Sequence, residues 1–276
     1  VDVRSAYQVG PSFDLATFAA DAVLAGPRDK EAAAKEIAAL EDEASTLHEQ
    51  LYAESKAGGR RAVLVVLQGM DTSGKGGATK VLDRLLDPLG FSIVGFGKPT
   101  DEEAARGYLW RHEQAVPEPG RIRVWDRSHY ETVLIERVRS LVPEDVWQAR
   151  YGEIVEFERN LVDSGVTVLK VMLHISKDEQ RERLLARLDD ETKHWKYRPG
   201  DVDERALWDD YQAAYQDALV RCSSEHAPWY CVPADRKWHR DWVLAHLVVE
   251  TLRALRPQYP AADFDVAAER GRVEAS

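Results

Sequence analysis

Residues 62–77 read AVLVVLQGMDTSGKGG, and the fold can be built outward from them. Six consecutive apolar residues, 62–67, leave no polar face, so a strand here is covered on both sides, as in a parallel sheet between two helix layers. The run passes directly into a glycine-rich turn and then into a segment with helical spacing from Lys75 onward. Gly69, Gly74 and Lys75 satisfy the spacing G-x-x-x-x-G-K. Glycines there let backbone amides turn inward on phosphate oxygens, the helix N-terminus adds its dipole, and the lysine reaches the bound phosphates. The preceding strand and following helix are the context that gives this spacing the meaning of a phosphate-binding loop.

The loop departs from nucleotide-binding loops at one position. After Lys75 comes Gly76, where a Ser or Thr hydroxyl normally ligates magnesium. Asp71 sits inside the loop, where a bare carboxylate repels phosphate unless a cation lies between them. The economical reading is that Asp71 helps hold that cation; an outward-facing turn Asp is the competing one. A second carboxylate follows the third expected strand in IRVWDRSHY, residues 122–130. Asp126 there faces the ligand crevice at the C-terminal end of a parallel strand, where phosphotransfer enzymes keep a magnesium-directed Asp. Arg127 could bind a phosphoryl oxygen or the acceptor, and Ser128 could cap the next helix; an N-cap followed by a surface Arg is the competing reading of Asp126, Arg127 and Ser128.

The remaining strands are expected at 91–96, 122–125, 166–174 and 229–232, giving five in all. Helices are expected at 75–86, 101–114, 131–141, 144–164, 177–188, 202–223 and 236–255, so the pattern is α/β, a three-layer α/β/α sandwich. Ahead of this body, Ile37, Leu40, Ala44, Leu47 and Leu51 recur at spacings of three and four and predict one helix over 29–57. Its apolar stripe needs burial against the body or a second subunit. Asp14 is expected to cap a short helix ending near Leu24. The division expected is a helical extension over 1–60, a phosphotransferase body over 61–255 and a surface tail over 256–276.

Residues 189–201, DDETKHWKYRPGD, form the long polar gap inside the body and suit a lid. Arg183 and Arg187 lie on one face of the helix before it, and Lys193, Lys196 and Arg198 follow, so positive charge converges over about 181–201. Such a segment can close over phosphates, neutralise transferred charge and exclude water; a helix that merely exposes its basic face is the competing reading.

The chain has 276 residues, 44% hydrophobic and 31% charged, a globular composition. With 37 basic and 48 acidic residues, net −11, it is not drawn non-specifically to nucleic acid or to anionic membrane. No apolar run approaches the ~20 residues of a membrane span, and two cysteines are too few for a disulfide framework. A cytoplasmic protein with reduced Cys222 and Cys231 follows. The eight histidines show no zinc spacing, and no G-x-S-x-G elbow appears. Most of the eight tryptophans are expected in the core.

Five motifs in order, GMDTSGKGG at 69–77, WDRSHYE at 125–131, DEQRERLLARL at 178–188, KHWKY at 193–197 and APWYCVPAD at 227–235, resemble the polyphosphate kinase 2 family. KPTDEE at 98–103 and EFE at 156–158 extend the likeness over about 35–255. The resemblance implies a P-loop kinase-like fold with a five-stranded parallel sheet and helical lid. It also implies magnesium-dependent, reversible phosphoryl transfer between inorganic polyphosphate and AMP, ADP or ATP, and a homo-oligomer. Carried over by position, Asp71 and Asp126 become the metal-directed carboxylates, Lys75 and Arg127 the phosphate and transition-state ligands, and Arg183 and Arg187 the lid arginines. Gly69, Gly74, Gly76, Gly77, Arg61, Lys98, Glu131, Lys193 and Lys196 are carried over as phosphate- or nucleotide-binding positions. DRSHYE at 126–131 resembles the subgroup acting on both AMP and ADP, with Glu131 near the acceptor; a first-turn helix Glu is its competing reading. Many relatives have an Asp-Pro step in the lid where this chain has Asp190-Glu191. An ATP-dependent small-molecule kinase and a non-catalytic interaction protein are the alternatives.

Overall fold

The structure, a computed structural model, describes residues 2–276. Five strands form one parallel sheet: β1 (Ala62–Gln68), β2 (Phe91–Gly95), β3 (Ile122–Asp126), β4 (Val166–His174) and β5 (Trp229–Pro233). Their order is β2-β3-β1-β4-β5, so the chain crosses the central strand after β3. In open α/β sheets, ligands bind outside the carboxyl ends of the strands at such a reversal. The register brings Leu67 of β1 and Gly95 of β2 level with Asp126 of β3, and Gln68 level with Met172 of β4.

Alternation along β1 builds both cores. Val63, Val65 and Leu67 face one apolar cluster, and Ala62, Leu64 and Val66 face the other. The first layer contains α4 (Lys75–Leu85) and α12 (Lys237–Leu255); the second contains α8 (Glu144–Asp163) and α11 (Trp208–Arg221). After the short α1 (Val3–Tyr7), the extension forms α2 (Lys30–Ala39) and α3 (Glu41–Lys56), two helices separated at Leu40 where one was expected. Asp29 caps the first by accepting from Ala32 N at 2.9 Å.

The stripe of Ile37, Leu40, Ala44 and Leu51 is buried in the first cluster, with Leu47 packed against it. Hydrogen bonds from Trp242 of α12 to Glu36 and from Arg253 to Glu43 fasten the two helices down. The extension therefore finds its partner within its own chain, and the stripe gives no ground for a second subunit.

Other differences have local causes. Residues 14–24 form turns, because Asp14 accepts from Ala16 N two residues on instead of capping a helix. The helix expected at 101–114 is split into α5 (Asp101–Ala105) and α6 (Trp110–Glu113) by Gly107, at φ +94°. Residues 131–141 give a 3₁₀ turn, His129–Thr132, and α7 (Ile135–Val138). The basic segment is α9 (Lys177–Leu188) followed by a 3₁₀ turn, Glu191–Lys196, and then α10 (Gly200–Ala206), which breaks from α11 at Leu207. In the tail, Gln258 and Tyr259 bond to Glu54 and Glu49 of α3, and an exposed helix, α13 (Val266–Glu274), follows the cap Asp265. It carries no apolar stripe by which periodicity could reveal it. Both cysteines are free and buried, and no described helix is long and apolar enough to cross a membrane.

Candidate active site

The glycine-rich loop, residues 69–74, joins β1 to α4 at the carboxyl edge of the sheet. Gly74 adopts φ +104°, and a Cβ there would fall 1.8 Å from Arg240 Nη1. A Cβ on Gly77 would fall 2.7 Å from Arg240 Nη2, whereas one on Gly76 would meet nothing within 4 Å. Lys75 Nζ donates to Gly69 O at 2.8 Å, so its ammonium lies over the mouth of the loop. Three buried polar atoms in and beside the loop, Gln68 Oε1, Thr72 Oγ1 and Ser73 Oγ, have no hydrogen-bond partner. Buried polar atoms are normally satisfied, so these three are free to bond a polar group that enters the loop.

Carboxylates gather around one guanidinium. Arg127 follows β3 at φ +65°, its N–H held by Leu67 O at 3.0 Å, and Nη2 donates to Asp71 Oδ1 at 3.1 Å. Burial works against its charge, and Glu131, Asp71 and Asp126, all close enough to act on it, outweigh that effect and raise its pKa. Burial lifts the Glu131 carboxyl above its ordinary range despite Arg127 and Lys75 nearby. The site thus brings together Asp71, Lys75, Asp126, Arg127 and Glu131, three carboxylates against two cations. Ser128 caps the next turn by accepting from Tyr130 N.

The donor set fits magnesium. Among the described residues no group of three or more His, Cys, Asp or Glu side chains could hold a metal ion alone. Mg2+ is usually held by one or two carboxylates together with substrate phosphates and water, which is what Asp71 and Asp126 could offer.

The basic segment is placed differently from its expected role. All five N–H donors of Arg183 are used: Nε on Glu179, Nη1 on Thr72 O and Ser73 O, Nη2 on Ala234 O and Asp235 O. Arg183 is therefore a strut that ties the loop to the end of β5, with no donor left for a phosphoryl oxygen. Gln180 assists by donating to Asp71 O. Arg187 holds the segment itself, bonding Lys196 O at 3.0 Å and Asp201 at 3.4 Å. Lys193 pairs with Asp190, Lys196 lies over the Trp195 ring, and both lysines are exposed. Trp195, 78% exposed, is the exception to the buried tryptophans expected there.

Lys98 is exposed just beyond β2, on the site's edge of the sheet. Arg61 is not brought to the site. It precedes β1, about 26 Å from the loop by strand rise, and binds Glu54 and Leu255 O.

Beside Glu131 lies a cleft of about 290 Å³, walled in part by Tyr108, Arg111, His112, His129 and Arg150. Burial pushes His112 down to about 2 and lowers His129, which the Glu158 carboxylate opposes. Behind His129 and Tyr130 is a buried network that sequence reading missed. Lys170 Nζ meets Glu158 at 2.5 Å, Tyr130 Oη at 2.9 Å and Cys222 O at 2.7 Å, and Glu158 also accepts from Tyr130 and contacts His129. The signal was present: a lysine within the apolar run VTVLKVMLH has to be paired. Arg240 had no such signal, being an ordinary basic residue of an amphipathic helix.

The chain is similar to known proteins over most of its length. The sequence model of the family described as polyphosphate kinase 2 matches residues 28–260. An AMP/ADP-polyphosphate phosphotransferase of Meiothermus ruber is 49% identical over 92% of this chain and 94% of its own. An ADP-polyphosphate phosphotransferase of Rhodopseudomonas palustris is 40% identical over 78% of each. The crystal structure of polyphosphate kinase 2 from Arthrobacter aurescens TC1 superposes with TM-score 0.97 at 43% identity, covering 100% of this chain and 98% of that one.

Proposed function

The chain belongs to the polyphosphate kinase 2 family, and from that premise we propose that it transfers a phosphoryl group reversibly from inorganic polyphosphate to AMP and ADP. The observation that carries the reading is the meeting of the glycine loop, Lys75, Arg127 and three carboxylates at the carboxyl ends of β1 and β3.

In this reading the amides of residues 74–76 and Lys75 hold the donor phosphates, Lys75 exchanging Gly69 O for a phosphoryl oxygen; the Gly77 amide already donates to Gly74 O. Arg127, fixed by Leu67 O and Asp71, stabilises the group in flight. Asp71 and Asp126 would hold magnesium, which when bound neutralises phosphate charge and orients its oxygens. Glu131 stands between the loop and the cleft, where the acceptor nucleotide sits; the relative from Meiothermus ruber, named for both AMP and ADP, supports its breadth of acceptor. Arg187, Lys193 and Lys196 belong to a segment that closes over the phosphates, with Arg183 as its anchor.

One phosphoanhydride is exchanged for another, so positioning and charge neutralisation suffice and the reaction runs both ways. We place the enzyme with the cytoplasmic nucleotide pool. The homo-oligomer that the family resemblance implies has to form on a surface other than the 37–51 stripe; light scattering at micromolar concentration tests it.

The deciding assay supplies AMP, long-chain polyphosphate and magnesium without ATP. ADP first and ATP later is the expected course. Conversion of ADP with AMP inert would remove the role given to Glu131; no product from either would remove the reading. Turnover that requires ATP as donor would favour an ordinary small-molecule kinase, against which Gly76 already stands.

A further inference from the structure

Arg240 lies on the first turn of α12, outside every motif that marks the site. It is 3% exposed, a poor place for a charge unless something uses it. Its Nε and Nη2 donate to Asp241 Oδ1 at 2.9 and 2.6 Å, while Nη1 has no hydrogen-bond partner among the described residues. The free nitrogen is the one that stands 1.8 Å from the Cβ position of Gly74, and Nη2 stands 2.7 Å from that of Gly77. The guanidinium is thus laid on the bare backbone of the loop, and the two glycines are what admit it.

Charge accumulates at the same spot. Arg183 Nη1 lies 3.6 Å from the Gly74 Cβ position, so two guanidiniums converge on one loop residue. Arg183 has Glu179 as its partner and Arg240 has Asp241; Arg84 acts on Asp241 as well.

Resting on the functional reading above, we propose that Arg240 is a positioning residue whose buried charge, set behind the loop, raises affinity for the polyphosphate donor, and that Asp241 attenuates it. A charge held in a poorly solvated wall is screened far less than one at the surface, so it acts through the loop on the anion at its mouth. The acceptor, in the cleft on the Glu131 side, is less affected. Arg240 acts through the loop amides and is not itself a phosphate ligand.

The opposite signs of two substitutions test this. Arg240→Gln should raise KM for long-chain polyphosphate about tenfold, with KM for ADP within about twofold. Asp241→Asn, which leaves the guanidinium uncompensated, should lower KM for polyphosphate several-fold, and Arg240→Lys should stay close to wild type. Melting temperatures are taken alongside. If both neutral variants raise KM for polyphosphate, or if their effects follow only the loss of melting temperature, Arg240 and Asp241 are a structural pair and the inference fails. Should Arg240→Gln fail to fold, a KM for Asp241→Asn at or above wild type overturns the inference and a lowered one supports it. Wild-type protein without polyphosphate-dependent transfer would remove the functional reading and this inference together, an outcome distinct from active wild type with same-direction variants.

Discussion

Replacing Lys170 with Met should reveal how much of the site rests on the buried network behind it. Lys170 and Glu158 are both wholly buried, and Lys170 is the cation that faces the Glu158 carboxylate at 2.5 Å. Burial pushes the Glu158 carboxyl up, but Lys170 and His129 overcome that and leave it below its ordinary value. Methionine fills most of the lysine stem's volume and leaves the carboxylate without its cation. Removing one partner of such a pair costs about 3–5 kcal/mol. An unfolding entropy of about 2.1 cal/mol/K per residue over 276 residues is about 0.6 kcal/mol/K, so the melting temperature should fall by about 5–9 °C.

The loss should depend on pH with a definite sign. In wild type the depressed Glu158 pKa contributes stability above the unfolded carboxyl value, and that contribution is lost as pH falls through the folded one. In the variant the unpaired carboxyl has a raised folded pKa, so stability is kept below the unfolded value and lost as pH rises. The gap between the two proteins is therefore smallest near pH 4 and widens toward pH 8. Melting followed by circular dichroism across that range measures it. Adding Glu158→Gln should restore much of the loss at neutral pH, since the stranded charge is gone. A shift below about 2 °C at pH 7, or a double variant no better than the single one, would refute the account.

Gly76→Ala should stabilise the fold by about 0.5–1 kcal/mol, because the position lies in the first turn of α4 and its Cβ meets nothing, yet raise KM for polyphosphate if the donor lies across that turn; thermal melts and initial rates on one preparation check both signs. Asp71→Asn and Asp126→Asn should each raise the magnesium concentration for half-maximal rate, each removing a hard oxygen anion. An unchanged magnesium titration in both variants would end the metal assignment. Lys75→Ala should abolish transfer without unfolding the chain, since its ammonium bonds only loop carbonyls, and near-normal turnover would count against the loop as donor site.

The amino-acid sequence by itself determined the sheet and which residues meet at the centre of the candidate site. All five strands were legible because a strand buried on both faces must be apolar at successive residues, as 62–67 and most of 166–174 are. Asp71, Lys75, Asp126 and Arg127 were legible because a loop at the end of a strand has its position fixed by the strand, so spacing along the chain is spacing in the site. Tertiary structure decided everything that depends on what a side chain meets across the fold. A helix periodicity says that Arg183 shares a face with Arg187, but only packing shows that its donors are used up by the loop and β5. The 37–51 stripe announces a need for burial and is silent on whether α12 or another chain supplies it. Arg61 is adjacent in sequence to the strand that carries the loop and stands at its opposite end. Arg240, more than 160 residues beyond Gly74 in the chain, reaches the loop because α12 packs beside α4, a contact that no local pattern encodes.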